Sequence, residues 1–199
     1  MLSYKQSLVI KKIAYGQFSK KVATTLNEFG GLLYDNCKFD NCNFSNSDLS
    51  QFSFIDCTFI SCDFSMTKLN KTAFRDVQFK DCKLLGLRFD TCNEFGLSFS
   101  FINCQLNHSS FYKTNIAKTV FKNSSLIDVD FAEGDLTSAV FDDCNLMQAI
   151  FDQTNLEKAN FYTAYNYYID PNNNRVKKAK FSINGVYGLL AKYDLIIEK

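Results

Sequence analysis

Eight cysteines and one histidine in 199 residues are the side chains with the most obvious chemistry, since thiolates and imidazole hold zinc and paired thiols oxidise. Their spacing argues against both. Cys37, Cys42, Cys57, Cys62, Cys82 and Cys92 lie at multiples of five from one another, as do Cys104 and Cys144, and none forms the CxxC pair from which zinc ligands converge. Cys42, Cys62 and Cys82 are twenty apart and would stack near disulfide range, yet a reducing cytosol keeps such thiols free. His108 has no placed partner for acid–base work, no serine lies in a GxSxG elbow, and no glycine-rich loop cradles phosphate. The expectation is a protein that is not an enzyme and uses no metal and no cofactor.

The remaining chemistry is charge. Net charge is +1, but it is unevenly distributed: residues 1–34 carry +4, residues 35–165 carry −6 and residues 166–199 carry +3. Between Asn123 and Glu157 lie Asp128, Asp130, Glu133, Asp135, Asp142, Asp143, Asp152 and Glu157, with no Lys or Arg. Conversely, Lys68 to Arg88 holds six cations against two aspartates. A patch of carboxylates of this kind attracts a cationic partner and steers its approach.

What positions these groups is a beat of five. Phe39, Phe44, Leu49, Phe54, Phe59, Phe64, Leu69, Phe74, Phe79, Leu84 and Phe89 keep one register. Phe101, Leu106, Phe111, Ile116, Phe121, Leu126, Phe131, Leu136, Phe141, Leu146, Phe151, Leu156 and Phe161 keep a second. Period five fits neither a helix nor a flat strand, but it fits a short extended piece followed by a bend, repeated and stacked. The residue two before each beat also points inward and is small in 21 of 24 units, Phe52, Leu87 and Phe99 excepted; all eight cysteines share that slot. Strict Phe/aliphatic alternation in the second register requires an even number of units per turn, and four fits. The registers are offset because Phe89 to Phe101 spans twelve residues, with Gly96 available to absorb a kink.

With twenty residues per turn and about 4.8 Å per turn, the acidic segment spans roughly 8 Å. That is roughly one charge per 1 Å, as dense as duplex DNA at about one per 1.7 Å. The whole repeat body, at about one net charge per 5 Å by the same spacing, is far sparser.

Units such as CNFSNSDL, GDLTSAVF and TNLEKANF resemble those of pentapeptide-repeat proteins, in particular the quinolone-resistance (Qnr/McbG-like) members. The resemblance implies an all-β fold, a right-handed quadrilateral β-helix with four repeats per coil and a short C-terminal helix. It also implies a glycine-containing break between two stacks and a dimer formed through the C-terminal helix, here Val186, Leu189, Leu190 and Tyr193. The expected organisation is an N-terminal cap (1–28), a first stack (29–94, the beat reaching back to Phe29 and Tyr34), a second stack (95–165) and a C-terminal cap with dimerisation helix followed by an apolar strand-like end (166–199). The implied partner is DNA gyrase or topoisomerase IV, bound by partial DNA mimicry through the eight acids above, without direct contact to nucleic acid. A generic protein–protein interaction scaffold is the alternative. The apolar run around Leu8 to Ile10 is too short for a signal-peptide core or a membrane span, so the expected location is cytoplasmic.

Overall fold

A computed structural model describes residues 13–19, as backbone only, and residues 33–196. The chain winds as a right-handed quadrilateral β-helix of about seven turns. β1 (Ile13–Ser19) and β2 (Leu33–Asp40) open it, with Phe18 paired to Phe39. Every later pairing is parallel, and its offset is set by the repeat: Phe39 opposes Phe59, Phe59 opposes Phe79, and Phe121 opposes Phe141.

One face carries β4 (Thr58–Ile60), β6 (Val77–Lys80), β7 (Phe99–Ile102), β8 (Val120–Lys122), β9 (Val140–Asp142), β10 (Asn160–Phe161) and β11 (Lys180–Phe181). The face that precedes it in each turn carries β3 (Ser53–Ile55) and β5 (Ala73–Arg75). The other two faces are held by single bridges, such as Ser125 to Asn145 and Asp130 to Ile150. We number the faces in chain order from Phe39, giving beat columns headed by Phe39, Phe44, Leu49 and Phe54.

The beat residues form the core. On the first face eight phenylalanines, Phe39 to Phe181, stack without interruption at centroid separations between 4.6 and 5.3 Å. Phe89, Phe111, Phe131 and Phe151 stack on the third. The second and fourth columns become aliphatic in the later turns, as four units per turn requires. The first and third columns meet edge-on across the interior, Phe121 against Phe131 at 78° for example, so each ring combines face stacking with an edge contact. In the small inner slot, hydroxyls donate to the carbonyl of the preceding turn, as Thr67 does to Phe44 and Ser109 to Leu84, so buried polar atoms there are satisfied.

The two extra residues between Phe89 and Phe101 are taken up mainly on the fourth face. A 3-10 turn spans Phe89–Thr91, Gly96 adopts φ +68° and Phe95 is turned outward, 80% exposed beneath the Arg75 guanidinium. The first and third columns pass the joint unbroken, Phe79 on Phe101 and Phe89 on Phe111.

At the C-terminal end, consecutive helical turns from Asn184 to Tyr193 include the four-residue α1 (Tyr187–Leu190). The expected strand-like end is not seen: Asp194 to Ile196 carry no strand, because Asp194 turns into the left-handed region and leaves Leu195 and Ile196 without a sheet edge. Residues 197–199 lie outside the described residues, as do most of the expected cap at 1–28 and Phe29 at the start of the expected first stack. Among the described residues no helix is long and apolar enough to cross a membrane.

The corners turn on residues at positive φ, many of them in type II-like turns; among the described residues 24 non-glycine corner residues do so, between +48° and +67°. At one of them Thr119 N–H closes on Ile116 carbonyl, while Lys118, at φ +64°, donates its amide to Thr137 of the next turn. A β-branched side chain is the worst occupant of this region. Lys118→Val is therefore expected to destabilise by about 1–3 kcal/mol. Lys118→Gly should stay within about 0.5 kcal/mol, since relief of strain offsets added chain entropy. Urea midpoints of the two variants measure the difference.

Candidate functional site

The acidic segment is continuous in sequence but wraps almost two turns, so its eight carboxylates are dealt to all four faces. Asp142 and Asp143 lie on the first, Asp128 on the second, Asp130, Glu133 and Asp152 on the third, and Asp135 and Glu157 on the fourth. Neighbours twenty residues away then supply the cations that the segment itself lacks. Glu133 meets Lys113 at 3.2 Å and accepts from Tyr112 hydroxyl at 2.8 Å, which together hold its carboxyl below the usual range, the tyrosine contributing most. Asp142 meets Lys122 at 3.3 Å, Glu157 meets Arg175 at 2.8 Å, and Asp128 lies 3.5 Å from His108. The density of one charge per 1 Å that the sequence implies is therefore diluted by placement and by pairing.

Among the described residues, Asp130, Asp135, Asp143 and Asp152 have no cation within 4 Å, though the charge of Asp130 is felt by Arg88 two turns away on the same face. Asp130 and Asp135 each cap a turn, accepting the amides of Ala132 and Thr137 at 2.9 Å, so their carboxylates are held in fixed positions. Asp135 also accepts from Asn155 Nδ2, and Asp152 from Asn173 Nδ2. Asp130 and Asp152 share the third face with Glu133, and exposed Ile150 sits beside them on the same face. This face is the one place where the fold gathers several of the acids, and it combines fixed negative charge with an apolar contact. Sequence spacing modulo twenty could have singled it out.

The second grouping is the C-terminal cap. Leu189 packs against the core, whereas Val186 and Leu190 join Ile183 and Tyr187 around a shallow apolar recess of about 250 Å³. Ile183, Leu195 and Ile196 are exposed beside it, and Tyr193 hydroxyl accepts from Asn172. Tyr167 anchors the cap: a Cβ at Gly185 or Gly188 would collide with it, so the helix sits as close as glycine permits.

All eight cysteines are free thiols and buried. Those of the second face form a ladder in which Cys42 amide donates to Cys62 sulfur and Cys62 amide to Cys82 sulfur, both at 3.4 Å. Burial pushes the Cys57 and Cys144 thiols up to about 12. Cys82 is also raised to about 12, chiefly by its hydrogen bond with Cys104. Among the described residues no group of three or more His, Cys, Asp and Glu side chains is placed to hold a metal ion.

Residues 34–100 match the family model described as a pentapeptide repeat region, and residues 124–161 match that of pentapeptide repeats. Two trypsin-treated forms of QnrB1, a plasmid-mediated fluoroquinolone resistance protein, share the fold. One superimposes with TM-score 0.62 at 15% identity over 93% of this chain and 100% of its own; the other with 0.61 at 19% over 92% and 99%. HetL, a pentapeptide-repeat protein involved in heterocyst differentiation regulation from the cyanobacterium Nostoc, superimposes with TM-score 0.53 at 13% identity over 87% and 89%. No curated protein matches the chain.

The raised thiols carry a pH dependence whose sign is fixed. Unfolded thiols lose protons near their ordinary value of 9.0, whereas Cys57 and Cys144 hold theirs to about 12 when folded. Their contribution to stability is thus complete below pH 9 and is lost as pH rises toward 12. Denaturation midpoints should fall over that range, and at pH 8 a thiol reagent should modify the folded protein slowly yet titrate eight thiols once it is unfolded. Rapid modification of several thiols in the folded state would contradict the burial.

Proposed function

Because the chain belongs to the pentapeptide-repeat family, we propose that it is a non-enzymatic binding protein that engages a type II topoisomerase, DNA gyrase or topoisomerase IV, by partial DNA mimicry. The likeness to QnrB1, whose description is fluoroquinolone resistance, supports this reading at the level of fold. The observation that carries it is the third face in its later turns, where Asp130 and Asp152 lie unpaired beside Glu133 and Ile150. A groove that handles DNA presents Lys and Arg; carboxylates held on a bridged face of the coil meet them without the entropic cost of ordering a loop. Asp135 on the adjoining face extends the surface, and Asp128, Asp142, Asp143 and Glu157 flank it. The scaffold alternative draws on HetL, which has the same fold and a different described role.

The reading also includes a homodimer through the C-terminal cap. The recess formed by Ile183, Val186, Tyr187 and Leu190, with Leu195 and Ile196 beside it, is more apolar surface than a cap facing water needs. The two stacks, 29–94 and 95–165, would then serve as paired arms of a soluble cytoplasmic protein.

Two measurements test this. Asp130→Asn, Glu133→Gln and Asp152→Asn combined should remove protection of gyrase from a fluoroquinolone in a supercoiling assay while leaving the melting temperature within a few degrees, since these groups lie outside the core. A wild-type protein without effect on either topoisomerase, with or without drug, would favour the scaffold. For the dimer, Ile183→Asp with Leu190→Asp should give a folded monomer by light scattering, whereas Leu189→Asp should loosen the cap itself. An unchanged mass for the first variant would remove the interface.

A further inference from the structure

The basic C-terminal end has no part in that reading, and the fold gathers it in one place. Arg175 to Lys180 wraps the corner between the fourth and first faces of the last turn, with Lys177, Lys178 and Lys180 exposed. Lys158 and Lys118 occupy the position of Lys178 on earlier turns, all three at φ +61° to +64°, and Lys158 amide donates to Lys177 carbonyl. At about 4.8 Å per turn, the edge from Lys118 to Lys178 is roughly 14 Å long. Two carboxylates lie beside it: Glu157 is engaged by Arg175, and Asp135 accepts from Thr137 and from Asn155 Nδ2. Among the described residues Lys118, Lys158, Lys177, Lys178 and Lys180 have no ion-pair partner.

Five unneutralised cations on one edge repel one another, an arrangement a polyanion relieves. They are strung along a line and do not converge on a cavity, so the fitting ligand is an extended chain of phosphates and not a single anion. Ser138, Asn155 and Asn160 flank them with Val120 the exposed aliphatic neighbour, where a bilayer-binding surface would place several large apolar residues. We propose that this edge binds the phosphate backbone of duplex nucleic acid without reading its bases. Lysines on flexible stems hold phosphates as point charges and lack the planar fork that distinguishes base edges. The expectation of no direct nucleic-acid contact comes with the DNA-mimicry resemblance, which concerns the acidic body and leaves this edge aside. The proposal stands apart from the topoisomerase reading, because its test needs the protein and DNA alone.

Fluorescence anisotropy with a labelled duplex of arbitrary sequence is the test. Five phosphate contacts give a slope of log affinity on log salt of about −4.5, so binding should weaken roughly 500-fold between 50 and 200 mM salt. Lys177→Gln, Lys178→Gln and Lys180→Gln combined should make the slope shallower by about 2.7. Lys68→Gln, Lys71→Gln and Lys83→Gln, in the other basic stretch, should leave it unchanged. Circular dichroism confirms that both variants fold. Absence of binding at 50 mM salt with 50 µM protein, by the roughly 10⁻⁴ to 10⁻⁶ M standard of nonspecific binding, would overturn the proposal. So would equal loss in both triple variants, or capture by anionic phospholipid vesicles but not by duplex.

Discussion

The structure depends on one constraint: in a parallel coil of constant length, the nearest neighbour of each residue is the residue one turn away. Backbone amides and carbonyls stay in register when successive turns match in length, and an added pair of residues must be bulged out as at the joint, so a repeat of five with four units per turn propagates itself. The phenylalanine column follows directly, since a ring at Phe121 finds rings at Phe101 and Phe141 at 5.2 and 5.1 Å. The same constraint lets so many non-glycine residues stand at positive φ. Each corner costs about 1 kcal/mol in strain, offset by a ladder bond to the next turn together with a turn closure, as at Lys118, or with an amide bonded to a side chain of the next turn, as at Cys42.

It also governs chemistry. Thiols spaced by multiples of five along the sequence become a ladder of hydrogen-bond partners, Cys42 to Cys62 to Cys82, shielded from water. Carboxylates that look like one block are distributed round the coil and meet Lys113, Lys122 and Arg175 from other turns. Charge in a solenoid is organised by phase and not by proximity along the chain. That is why an acidic third face and a basic corner coexist within the same few turns.

Departures from the repeat occur where something other than stacking is served. At the joint, two added residues leave the first and third columns intact and turn Phe95 outward under Arg75. At the end of the coil the beat gives way to Tyr167, whose ring closes the core and seats Gly185 and Gly188 of the cap.

The five-residue beat, the small inner slot shared by the cysteines, the four units per turn and the phase break near Gly96 were all legible in the sequence, because a repeating backbone converts spacing directly into facing. Gly96, for instance, takes the positive φ that its position in the broken register suggests. What tertiary structure decided was every relation across turns and every feature outside the repeat. Which acids retain a free carboxylate depends on residues twenty positions away, as with Glu133 and Lys113, and the turning of Leu189 inward while Leu190 faces out depends on how a short helix docks on Tyr167. Side chains within one unit are placed by local backbone geometry, whereas pairing between turns and the seating of a cap are fixed only when distant segments close upon one another.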